Sequence, residues 1–129
     1  MNAVHLVARP LLAGVFVASG IDVLRKPHPR AELASPVIDK MQELVPALPG
    51  DPVLLVRANA AAQLGAGVML AAGRFPRLAA LVLAGSLVPT TIGGHRFWEL
   101  DDPAQRAMHR TQFLKNTAIM GGLLAVASS

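Results

Sequence analysis

Residues 78–94 read LAALVLAGSLVPTTIGG. None of them is charged, and the apolar side chains run round the whole circumference of any helix drawn through them. Such a helix is buried in a large core or crosses a membrane. Residues 10–21, 58–73 and 116–129 share this character. A chain of 129 residues has too little left over to wrap four such helices in protein. Lipid is therefore the expected surround, and the bilayer the first partner.

Composition agrees. Hydrophobic residues make up 53% of the chain, and the mean hydropathy of +0.46 is high for a soluble domain of this size. A bilayer core of about 30 Å needs roughly 20 helical residues, so each uncharged stretch must draw in polar flanks. The predicted spans are 4–24, 52–72, 75–94 and 103–127, the last starting polar and entering hydrocarbon near Thr111. Together they make one domain, 1–129. The absence of cysteine excludes disulfides and thiol chemistry by the chain itself. A net charge of +4 raises nucleic acid as a partner. Without a long basic run or basic helix face, the cations read instead as flanks of membrane spans, and no nucleic acid is expected. The first span also has signal-peptide features, with Ala18-Ser19-Gly20 as a cleavage point. Asp22 and Leu24 continue its helix past that point, which favours retention.

Asp51-Pro52 and Asp102-Pro103 each pair an N-cap with a first-turn proline, marking helix starts. Gly73 and Pro76 leave only a tight link between spans two and three, which forces an antiparallel pair. The predicted fold is all-α, an antiparallel up-down four-helix transmembrane bundle. Residues 25–30 read as a proline-rich turn. Within 36–48, Val37, Ile38, Met41, Leu44, Val45 and Leu48 recur at helical spacing around Asp39, Lys40, Gln42 and Glu43. This amphipathic helix suits the headgroup layer or a place packed on the bundle end. Small residues such as Gly14 and Ala18, Ala62 and Ala66, Ala80 and Ala84, and Gly121 and Ala125 recur at intervals that let helices approach. Arg25, Lys26, Arg30, Lys40, Arg96, Arg106 and Arg110 outnumber Arg9, Arg74 and Arg77 on the opposite side. Loops 25–51 and 95–102 are therefore expected in the cytoplasm, with both termini outside.

Up-down topology gathers Asp22, Arg57, Asn59, Thr90, Thr91, His95, Lys115 and Asn116 at one end. Charged groups in spans tend to mark pathways or binding sites, and Asp22 is expected to pair with Arg57 or Lys115. Asn59 and Gln63 share a helix face, Gln63 lying about 16 Å along the helix from Pro52 at 1.5 Å per residue. Gln105, His109, Gln112 and Asn116 form a stripe on span four. The expected site is a polar cleft where Asn59 and Gln63 face that stripe. The same amides also serve as plain interhelical hydrogen-bond partners, and Arg57 and Lys115 are near enough to the interface to snorkel. Phe97 and Trp98 read as interface anchors, while His95 fits an anchor or a proton relay. No metal-ligand spacing is present, and no histidine sits mid-span for a haem.

The stretch from Arg9 through Leu11-Leu12-Ala13-Gly14-Val15-Phe16-Val17-Ala18-Ser19-Gly20-Ile21-Asp22 resembles the DoxX family of small four-span bacterial membrane proteins. So do the small-residue span 60–73, Gly94-His95-Arg96-Phe97-Trp98, and Gln112-Phe113-Leu114-Lys115-Asn116 with its apolar tail. The resemblance implies a bacterial inner-membrane bundle. It also implies a redox association, since the family name derives from a subunit of a thiosulfate:quinone oxidoreductase. The chain is then expected to be a small subunit or adaptor of a redox or oxidative-stress system. A quinone is the expected ligand, with Gln63, His95 and Asn116 on its oxygens and Asp22, Arg57 and Lys115 tuning charge at the mouth. Rival readings are a non-enzymatic scaffold, in which the 37–48 segment and the 95–102 loop dock soluble redox or stress enzymes, and a small-molecule or lipid transporter, for which four short helices leave little room unless the protein forms a homo-oligomer.

Overall fold

The computed structural model describes residues 3–48 and 50–129, with 93 and 94 described by their backbone alone. Among these residues the fold is all-helical: α1 (Ala3–Arg25), α2 (His28–Leu44), α3 (Pro52–Ala72), α4 (Pro76–Gly94), a 3-10 turn (Phe97–Glu99) and α5 (Pro103–Ala127). Local chemistry sets the starts. The Asp51 carboxylate accepts from the Val53 N–H at 3.0 Å, and Asp102 accepts from the Gln105 N–H at 3.4 Å. At the end of α3, Gly73 takes φ 74°. Its N–H donates to the Leu70 carbonyl and the Arg74 N–H to Met69, which satisfies the last turn. Phe75, at φ 45°, then turns the chain directly into α4.

Helices α1 and α3 run antiparallel and close together. A Cβ added at Gly20 would stand 2.9 Å from the Ala60 carbonyl oxygen, and one at Gly67 would stand 3.0 Å from Val17. The expected contacts at Gly14 and Gly121 are not made, since a Cβ there would meet nothing within 4 Å. Small residues populate the outward faces too, so spacing alone did not separate the packing glycines from the others.

One core cluster joins Ala13 and Phe16 of α1, Ala66 and Leu70 of α3, Ala79, Ala80, Leu83 and Leu87 of α4, and Leu123 of α5. A second joins Val23, Ala31, Val56 and Ala60, fixing α2 to α1 and α3. Outside the clusters the helices are apolar and bare, with Leu11, Val15, Val68, Leu81 and Leu124 all exposed. Large bare apolar faces of this kind belong in contact with lipid or a partner. Among the described residues, three helical stretches are long and apolar enough to cross a membrane: Ala3–Arg25, Pro52–Ala72 and Pro76–Glu99. The fourth expected span is helical over the anticipated residues, but Arg106, Arg110 and Lys115 break its apolar run.

The amphipathic helix differs from its expected bounds of 36–48. It begins at His28 and ends at Leu44. Pro29 lies in the first turn, where a missing N–H costs nothing, and Pro36 is carried inside the helix. The segment packs against α3 and α4.

Candidate ligand-binding cavity

Thr90 and Thr91 are neighbours on α4, so their side chains diverge by about 100°. This divergence splits the polar residues into two groups. Thr90 faces α3. Its Oγ1 accepts from Asn59 Nδ2 at 2.8 Å and from Gln63 Nε2 at 2.9 Å, and donates to the Ser86 carbonyl at 3.0 Å. Ser86 Oγ in turn donates to Asn59 Oδ1 at 2.7 Å. Thr91 faces α5 and accepts from Asn116 Nδ2 at 3.0 Å. One turn further, His95 and His109 approach Nδ1 to Nδ1 at 3.1 Å, which requires one ring to donate and the other to accept.

The first group borders a cavity of about 290 Å³ between α2, α3 and α4. Val23, Ala34, Val37, Ile38, Met41, Val56 and Ala60 give it apolar walls, and Asn59, Gln63, Thr90 and Arg30 give it polar points. Gln63 is only 3% exposed. Its carbonyl oxygen has no hydrogen-bond partner, yet among the described residues no fully enclosed side-chain polar atom lacks one. That oxygen therefore reaches the cavity. Pro89, which also lines it, removes one backbone donor from α4, and the Thr90 hydroxyl adds a side-chain bond to the backbone there.

The expected pairing of Asn59 and Gln63 with the α5 stripe does not form, because both amides are engaged by α4. The stripe instead meets the other face of α4 through Asn116 and His109, while Gln112 accepts a hydrogen bond from Lys115 on its own helix. Asp22, Arg57 and Lys115 are exposed. Asp22 forms no ion pair with either cation. An ion pair does join Arg96 to Glu99 at 2.7 Å. Exposed cations lose little by remaining in the interfacial water, which removes the drive to pair. Phe97 and Trp98 pack edge-on with Phe113 of α5, at centroid distances of 5.6 and 5.8 Å.

Sequence reading passed over Arg30, Ser86 and Arg96 as site residues. Arg30, Ala34, Val37 or Ile38, and Met41 follow one another at helical spacing, a signal hidden by the prolines around them. Ser86 stands one turn before Thr90. Burial holds the Arg30 guanidinium below its ordinary pKa, and Arg30 and Lys115 both lie within electrostatic reach of His95.

A family model described as DoxX matches residues 4–96. The match takes in α1 to α4 and stops before α5, so the α5 part of the resemblance lies outside it. Neither the curated proteins nor the solved structures provide a match.

Proposed function

This chain belongs to the DoxX family and is an integral, multi-pass membrane protein, and on that footing we propose that it is a small subunit or adaptor of an inner-membrane redox or oxidative-stress system that holds a quinone head group. In this reading α5 is the fourth span of an antiparallel bundle, residues 1–129 form one domain, and the loops at 25–51 and 95–102 face the cytoplasm. The observation that carries the ligand assignment is the pair of amides at the cavity. Asn59 and Gln63 each give one N–H to Thr90, and a carboxamide has two. Each keeps a second donor for a quinone carbonyl, in a site otherwise walled by apolar side chains.

In this reading the quinone contacts are Asn59 and Gln63, with Thr90 holding both in place, because His95 and Asn116 do not line the cavity. The test is solvent extraction of protein purified from its native membrane, together with a quinone-dependent thermal shift. Co-extracted quinone and a shift that Gln63→Leu abolishes support the reading. No quinone and no shift contradict it.

The scaffold reading draws support from a different place. Residues 101–108, at the start of α5, are exposed throughout. Soluble partners would dock there rather than on the inner face of α2, since Val37 and Ile38 line the cavity.

A further inference from the structure

Arg30 is, among the described residues, the one charged side chain that lines the cavity. Its guanidinium makes no hydrogen bond and no ion pair. The depressed pKa marks a cation that has lost part of its water without a replacement. A desolvated charge is costly unless an opposite charge or good acceptors replace that water. Among the described residues no side chain supplies them here.

Arg30 also stands at a junction. On one side lies the apolar cavity. On the other is a more open surface depression that Arg30 also lines, together with Asp22, Arg25, Lys26 and Pro29. Asp22 remains beyond ion-pair distance of Arg30, and Arg25 and Lys26 leave the depression net positive. Helix α2 begins next to it with no side-chain cap and no acidic residue in its first turn, so the positive end of the helix dipole adds to the same field.

We propose that the cavity holds a single-chain amphiphile whose anionic oxygen head, a carboxylate or a phosphate, pairs with Arg30 while its chain lies along the apolar wall. The guanidinium fork matches either head. The wall of Ala34, Val37, Ile38 and Met41 continues from Arg30 along α2, so head and chain have adjoining places. A volume of about 290 Å³ is at the small end of ligand pockets and suits one chain rather than two. The proposal uses the same cavity as the quinone reading but different residues: a neutral quinone depends on Gln63 and Asn59, the anion on Arg30.

The test compares dodecanoate, dodecyl phosphate and dodecanol binding to the full chain in a non-ionic detergent, by native mass spectrometry. At least one anion is expected to bind about tenfold more tightly than the alcohol, and the stronger of the two identifies the head. Arg30→Gln should bring all three to similar affinity, and Arg30→Lys, which keeps the charge, should retain part of the preference. Gln63→Leu should leave that preference intact even where it abolishes a quinone-dependent shift, so the two readings fail separately. Equal binding of anions and alcohol by the wild-type chain overturns the proposal. So does an anion preference that survives in a folded Arg30→Gln variant.

Discussion

Gln63 of α3 and Thr90 of α4 meet at 2.9 Å, and the same hydroxyl oxygen accepts from Asn59 at 2.8 Å. One threonine thus accepts an N–H from two amides on adjacent turns of the facing helix. Replacing it by the similarly shaped Thr90→Val orphans both donors in apolar surroundings. The expected loss is about 1–3 kcal/mol, more than the ~0.6 kcal/mol typical of a single interhelical bond in lipid. Thermal unfolding in detergent should show a clearly lower midpoint for Thr90→Val and near-recovery for Thr90→Ser. A Thr90→Val midpoint equal to wild type would remove the network from the account of stability.

The glycines of α1 divide by environment. Gly20→Ala places a methyl 2.9 Å from the Ala60 carbonyl oxygen and 3.2 Å from the Leu64 amide nitrogen, and backbone cannot swing aside. The cost should be about 1–3 kcal/mol, as for other overpacked sites. Gly14→Ala meets nothing within 4 Å and should be neutral or stabilising by up to about 1 kcal/mol through helix propensity. Paired unfolding curves check both, and equal effects would mean that α1 and α3 are not in close contact.

Arg96 ties three elements together. Its guanidinium donates to Glu99 at 2.7 Å, to the Ile92 carbonyl at 3.1 Å and to the Leu33 carbonyl of α2 at 2.9 Å. Arg96→Met should loosen α2 from the end of α4 while leaving the spans inserted. Hydrogen exchange should then quicken across α2 by about tenfold, the scale of a charge-assisted bond, with little change in α3. Unchanged exchange in α2 would show that its docking rests on Ala31 and Ile38 alone.

Orientation is testable because the chain has no cysteine. In intact cells, a membrane-impermeant maleimide should label Arg74→Cys, in the link between α3 and α4, and should reach Leu44→Cys only after permeabilisation. The reverse pattern would invert the topology derived from the Lys and Arg count.

Helix limits were legible because their signals are local. The helices expected at 52–72 and 103–127 correspond to Pro52–Ala72 and Pro103–Ala127, and those at 4–24 and 75–94 to Ala3–Arg25 and Pro76–Gly94, although Pro103–Ala127 is not among the three stretches apolar enough to cross a membrane. An aspartate cap, a first-turn proline or a left-handed glycine acts within a turn of itself. Partner choice was not legible. Periodicity put Asn59 and Gln63 on one face, but which neighbour that face meets depends on how whole helices pack. The α5 stripe was the expected partner; Ser86 and Thr90 of α4 are the observed one. Arg30 was read as a loop cation because prolines surround it, although a helix accepts proline in its first turn.

The central claim is that hydrocarbon covers these helices, and single-cysteine labelling in reconstituted vesicles tests it most directly. Val15, Val68, Leu81 and Leu124 are exposed on the protein surface, so water would reach all four if water were the surround. The account predicts that cysteines at these positions stay unmodified by a water-soluble maleimide in the bilayer and react fully once the protein is denatured, while Leu44→Cys, 83% exposed outside the spans, reacts at once. Labelling of the four at the rate of Leu44→Cys in intact vesicles would contradict it.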